Sequence, residues 1–124
     1  MRQSFCILLF LVIGAFGWVE AATAQKRVAL VIGNSAYANT PALTNPRNDA
    51  LDVAAALTGF GFEVVEGYDL DKPGFDRTIR TFAMALQGAD AGVFFYAGHA
   101  LQVQGQNYLV PIDAELSAAA ALDF

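Results

Sequence analysis

The segment Val28-Ala29-Leu30-Val31-Ile32 has no polar side chain at any position, and Gly33 ends it. A β-strand sends successive side chains to opposite faces. A run that is apolar throughout must therefore be covered on both sides, the signature of a strand inside a parallel sheet. The remaining pattern supplies the covering layers. Ala50, Leu51, Val53, Ala54 and Leu57 recur at helical spacing, Asn48 or Thr44 is the expected cap, and Gly59 and Gly61 stop the helix. Residues 62–68 read as a second strand, and 69–74 as a polar turn. Phe75, Ile79, Phe82, Ala83 and Leu86 share one face of a second helix that Gly88 ends. Residues 91–96 form a third, wholly apolar strand. A small hairpin centres on Gly105. The order β-α-β-α-β predicts an α/β fold around a parallel sheet. Ligand chemistry in such sheets sits beyond the carboxyl ends of the strands. Here those ends carry the loop from Asn34 to Asp49 and the turn Ala97-Gly98-His99-Ala100.

Composition narrows the chemistry. At 124 residues there is room for one small domain. A hydrophobic share of 56% against 15% charged excludes a disordered tail. Net charge is −5, from 7 basic and 12 acidic side chains with no basic cluster, so no nucleic-acid partner is expected. One cysteine excludes an intrachain disulfide, and one histidine excludes a multi-histidine zinc site. No cofactor and no metal are expected. Met1 and Arg2 precede an apolar run from Phe5 to Trp18, and Ala22-Thr23-Ala24 follows. This is the layout of a signal peptide over 1–24, cleaved before Gln25. The run falls short of the roughly 20 residues that span a bilayer, so stable membrane insertion is not expected after cleavage. Cys6 lies inside this leader, which leaves the mature chain without a thiol.

His99 follows the third strand directly, between the small residues Gly98 and Ala100. An uncovered imidazole there can serve as a general base or acid near neutral pH. A base needs a nucleophile or a polarised water within reach. Two other α/β classes fit less well. A nucleotide-binding module would carry a glycine-rich phosphate loop, and the loop after Ile32 has Gly33 alone. A receiver-type domain would carry paired acids there, and Gly33-Asn34-Ser35 are neutral.

Four pieces in order carry a resemblance: Val28 to Asn34, then Asn48-Asp49-Ala50 near the start of a helix, then Phe94 to His99, then Gln106 to Asp113. Together they resemble the caspase-like cysteine peptidases, in particular the bacterial, metacaspase-related branch. The resemblance covers about residues 26–115 within a domain of 25–124. It implies a caspase-hemoglobinase-type three-layer sandwich with a mostly parallel sheet, of which the first part is present. It also implies cleavage of peptide or protein substrates by a Cys/His dyad. His99 matches the catalytic histidine. Gly98 and Ala100 shape the oxyanion region, with Ala100 where the family usually has glycine. Asp49 matches the carboxylate buried in the pocket of metacaspase-like enzymes, which selects Arg or Lys before the scissile bond. Arg47, two residues earlier, leaves an aspartate-directed reading open, because true caspases use an arginine there. Ala97 stands where metacaspases often have serine. Some relatives need calcium, but no Asp-rich loop with ligand spacing is present. The family's cysteine follows the next buried strand, and the chain stops at an apolar, Ala-rich segment over 117–124. An incomplete peptidase is therefore expected, with a catalytically inactive binding or scaffold domain as the alternative. Export implies a secreted or periplasmic protein of a bacterium.

Overall fold

A computed structural model describes residues 23–116. Most of the expected leader, and the Ala-rich segment over 117–124, lie outside the described residues. The elements follow as β1 (Arg27–Gly33), α1 (Pro46–Gly59), β2 (Glu63–Tyr68), α2 (Lys72–Ala85), β3 (Ala91–Ala97), β4 (Ala100–Val103) and β5 (Gln106–Leu109). The first three strands form a parallel sheet in the order β2-β1-β3, and β4 pairs antiparallel with β5. This is the α/β, mostly parallel architecture expected from the sequence.

β1 is the axis of the core. Val28, Ala29, Val31 and Ile32 are fully buried, and burying each large aliphatic side chain contributes about 1.5–3 kcal/mol. Its alternation divides the core in two. Leu30 and Ile32 pack with Phe75 of α2, joined by Val65, Leu70, Phe82, Tyr96 and Leu109. Val31 packs with Ala50 and Ala54 of α1, joined by Val53, Leu57, Val64, Tyr68 and Phe95. The two helices thus cover opposite faces of the sheet, which makes three layers.

Register brings the strand ends level. Gly33 lies opposite Tyr68 on one side and Ala97 on the other. The three following segments therefore leave the sheet at the same height. Gly33 also lets α1 approach: a Cβ there would lie 2.6 Å from both the Ala50 Cβ and the Pro46 carbonyl oxygen.

Two helix starts differ from expectation, each for a local reason. α1 is preceded by Asn45 as its cap, rather than by Asn48 or Thr44, and Asn45 makes no side-chain cap bond. Pro46 opens the first turn, where its missing N–H costs nothing. Ser35 Oγ accepts from Arg47 N at 3.1 Å, taking the place of a cap. α2 begins at Lys72, inside the expected polar turn, because Asp71 caps it by accepting from Gly74 N at 2.7 Å. Among the described residues β3, wholly apolar in sequence, lies at one edge of the sheet with Phe94 51% exposed. The hairpin turns at Gln104 and Gly105, both at positive φ, 50° and 80°, as a two-residue turn matching the strand twist requires.

Candidate active site

The loop after β1, the turn after β3 and the hairpin meet at the level carboxyl ends of the strands. His99 sits at their junction, and two tyrosines clamp its backbone. Its N–H donates to Tyr37 Oη at 2.7 Å, and its carbonyl accepts from Tyr96 Oη at 2.7 Å. The two phenol oxygens lie 3.2 Å apart. Tyr96 gives its single proton to the His99 carbonyl, so Tyr37 donates to Tyr96. Burial first, and the Tyr37 hydroxyl second, push the Tyr96 phenol well above its ordinary pKa. It therefore remains a neutral donor throughout the physiological range.

The same geometry explains Gly98. A Cβ there would lie 2.5 Å from each tyrosine oxygen, and the backbone φ is 156°. Glycine is required by the clamp.

The imidazole is oriented by the loop over 34–45. Its ring stands against that of Tyr37, with centroids 4.6 Å apart. Its Nε2 lies 2.9 Å from the Pro41 carbonyl oxygen. A carbonyl only accepts, so this bond places the proton on Nε2. Neutral His99 then keeps its lone pair on Nδ1. A base in this tautomer works through Nδ1.

Ala100 supplies a donor beside it. Val110 N donates to the His99 carbonyl at 3.1 Å, a single bond that carries the β4–β5 ladder one step past Ala100. Antiparallel ladders alternate, and Ala100 lies opposite Leu109. Ala100 is thus in a non-hydrogen-bonded pair, and its N–H points away from β5.

Beneath the site, fully buried Asn34 ties three segments together. Its Oδ1 accepts from Leu70 N at 2.9 Å, and its Nδ2 donates to the Leu70 and Val110 carbonyls, both at 3.3 Å. Asp69 holds the loop from the side. Its Oδ1 accepts from Ser35 N at 2.8 Å and Ala36 N at 2.9 Å, and its Oδ2 meets Arg47 Nη1 at 3.2 Å. Burial alone pushes this carboxyl up, but the two N–H donors and Arg47 outweigh it and hold it below the usual carboxylate range.

Asp49 and Arg47 are placed differently from each other. Asp49 is in the first turn of α1, exposed rather than buried, and no contact joins its carboxylate to His99, Gly98 or Ala100 among the described residues. Arg47 turns to Asp69 and lies over the Tyr68 ring, 5.2 Å from its centroid. Among the described residues no cluster of three His, Cys, Asp or Glu side chains could hold a metal ion. No described helix is long and apolar enough to cross a membrane.

Sequence reasoning pointed to His99, Gly98 and Ala100 but missed the groups that orient them: Tyr37, Tyr96, the Pro41 carbonyl, Asn34 and Asp69. Tyr37 is visible in sequence as an aromatic in a polar loop, without a stated role. The Pro41 carbonyl has no sequence signal, because any residue carries one.

Residues 26–123 match the caspase domain family, Peptidase C14. The chain is similar to the mucosa-associated lymphoid tissue lymphoma translocation protein 1 of Homo sapiens, 33% identical over 91 residues, and to its Mus musculus homolog at the same identity. The alignment covers 73% of this chain and 11% of each relative.

Proposed function

The chain belongs to the caspase-domain family, and from that premise we propose that it carries the histidine side of a cysteine endopeptidase site of the metacaspase-related branch. The observation that carries this reading is the Pro41 carbonyl on His99 Nε2, which leaves Nδ1 to do the chemistry. A cysteine thiol gives its proton to Nδ1, and the sulfur attacks the scissile carbonyl carbon. The Ala100 N–H faces the oxygen that gains charge. The C–N bond breaks as the imidazolium returns the proton to the leaving amine. Water, deprotonated by Nδ1, then hydrolyses the thioester.

The thiol of the sequence, Cys6, lies in the expected leader, so the described residues supply the histidine side of the dyad and no nucleophile. A basic residue before the scissile bond fits Asp49, whose exposed carboxylate has no partner among the described residues. Arg47 is less suited to receive an acidic one, because Asp69 already neutralises it. Export through the leader places the protein in a periplasmic or extracellular space, and the mature chain then begins at Gln25.

The test is His99→Ala in the complete protein, assayed on peptides with Arg or Lys at the cleaved position. Loss of the general base lowers the rate roughly 10²–10⁴-fold. Cleavage at the unmodified rate refutes the assignment. The position of Cys6 favours a second reading, a binding domain without a nucleophile. A peptide with a basic residue and a thiol-reactive end group separates the two, because it labels a peptidase covalently and leaves a binding domain unmodified.

A further inference from the structure

We infer that Asp69 is a positioning residue for His99, acting through the loop over 34–45. This rests on the reading of His99 as the base. Among the described residues, both groups that contact the imidazole belong to that loop: the Tyr37 ring and the Pro41 carbonyl. The Tyr37 hydroxyl also accepts from His99 N. Whatever sets the path of the loop therefore sets the imidazole.

Asp69 closes the neck of the loop. One carboxylate oxygen receives Ser35 N and Ala36 N, the two residues before Tyr37. The other meets Arg47, just past the end of the loop at the start of α1. Ser35 completes the closure from inside, since its Oγ accepts from Arg47 N and its carbonyl accepts from Leu43 N. Ala38 N and the Asn39 side chain bond to the backbone of 112–114, so the loop is held there too, but by neutral bonds. The Asp69 carboxylate supplies its charge-assisted ones, roughly twice as strong.

A second observation supports the assignment. Asp69 adopts a φ of 49°, the left-handed region that few non-glycine residues occupy. Glycine would relieve that backbone but would lose the carboxylate. Its own N–H donates to the Gly33 carbonyl at 3.0 Å, which aims the side chain across the end of β1 at the loop. β2 therefore reaches the site without touching it.

His99 is the single histidine of the sequence, so a long-range ¹H–¹⁵N spectrum of the full chain shows one imidazole. In the unmodified chain it is the Nε2–H tautomer, with slow exchange of the Nε2 proton. Asp69→Ala mixes the tautomers and speeds that exchange at least about tenfold, the factor that loss of roughly 1.4 kcal/mol of hydrogen bonding produces. Asp69→Asn keeps an acceptor for the two N–H groups but loses the charge, and speeds exchange about threefold. Asp90→Ala is the control. It removes the bond from Lys26 N to Asp90 Oδ2, at the opposite end of the sheet, and leaves the imidazole unchanged. An unchanged His99 signal in a folded Asp69→Ala chain overturns the inference, as does an equal change in Asp90→Ala. If Asp69→Ala does not fold, an unchanged exchange rate in Asp69→Asn overturns it. An Nδ1–H imidazole in the unmodified chain refutes instead the reading of His99 itself, before Asp69 is touched.

Discussion

Replacing Asn34 with alanine removes a fully buried amide that joins the end of β1 to Leu70 and Val110. The bond from Leu70 N, at 2.9 Å, is of ordinary length and contributes about 1 kcal/mol. The two bonds at 3.3 Å are long and contribute about 0.5 kcal/mol each. Leu70 N–H is then left unpaired in a partly buried place, at a cost of about 1 kcal/mol more. The total is about 3 kcal/mol, and a urea slope of about 1.5 kcal/mol per molar turns this into a midpoint lower by about 2 M. Equilibrium unfolding in urea at pH 7, followed by circular dichroism, measures it. A fall of less than about 0.5 M, with the slope unchanged, refutes the claim that these bonds hold the layers together. Asn34→Asp adds a sign. The new carboxyl faces two carbonyl oxygens, so its folded pKa rises above the unfolded value of about 3.9. This variant approaches the original stability below about pH 4 and loses it as pH rises through the raised folded value. Stability that is independent of pH refutes that geometry.

Gly98→Ala puts a methyl 2.5 Å from both tyrosine oxygens and destabilises the chain by about 2–4 kcal/mol through overpacking and backbone strain; a thermal midpoint within 2 °C or so of the original contradicts the clamp. Asp69 has a folded pKa below its ordinary value, so its contribution to stability is present above about pH 4 and lost as pH falls through the folded value. Asp69→Ala therefore costs roughly 1–3 kcal/mol at pH 7 and progressively less as pH falls below about 4; a cost that does not change with pH counts against it. In the complete protein, Asp49→Ala lowers cleavage after Arg or Lys at least about tenfold with stability within about 1 kcal/mol, since the lost term is a charge-assisted pair with substrate; an unchanged substrate profile rejects the pocket assignment.

Much of the fold is legible because local pattern and layer agree. The apolar run 28–32 demands cover on both faces, and the two helical segments provide it. Helix starts are less legible. Pro46 and Asp71 set them through backbone geometry and one cap bond, and competing polar residues nearby carry the same composition signal. The exposure of Phe94 follows from strand order, which hydropathy does not contain.

The site divides the same way. A histidine between two small residues after an apolar strand is what singles out His99 in the sequence, and this much is local. Which nitrogen is protonated depends on Pro41, 58 positions away in the chain. The clamp depends on Tyr37, 62 positions away, and the neck of the loop on Asp69, 34 positions from Ser35. Hydrogen bonds act over about 3 Å in space, and nothing in residue order records them until the parallel register brings Gly33, Tyr68 and Ala97 level. The amino-acid order thus settles the layers and singles out His99, because hydrophobic periodicity and glycine punctuation are properties of neighbours. Its tautomer and orientation arise from the folded arrangement, because they belong to groups that meet only when the strand ends align.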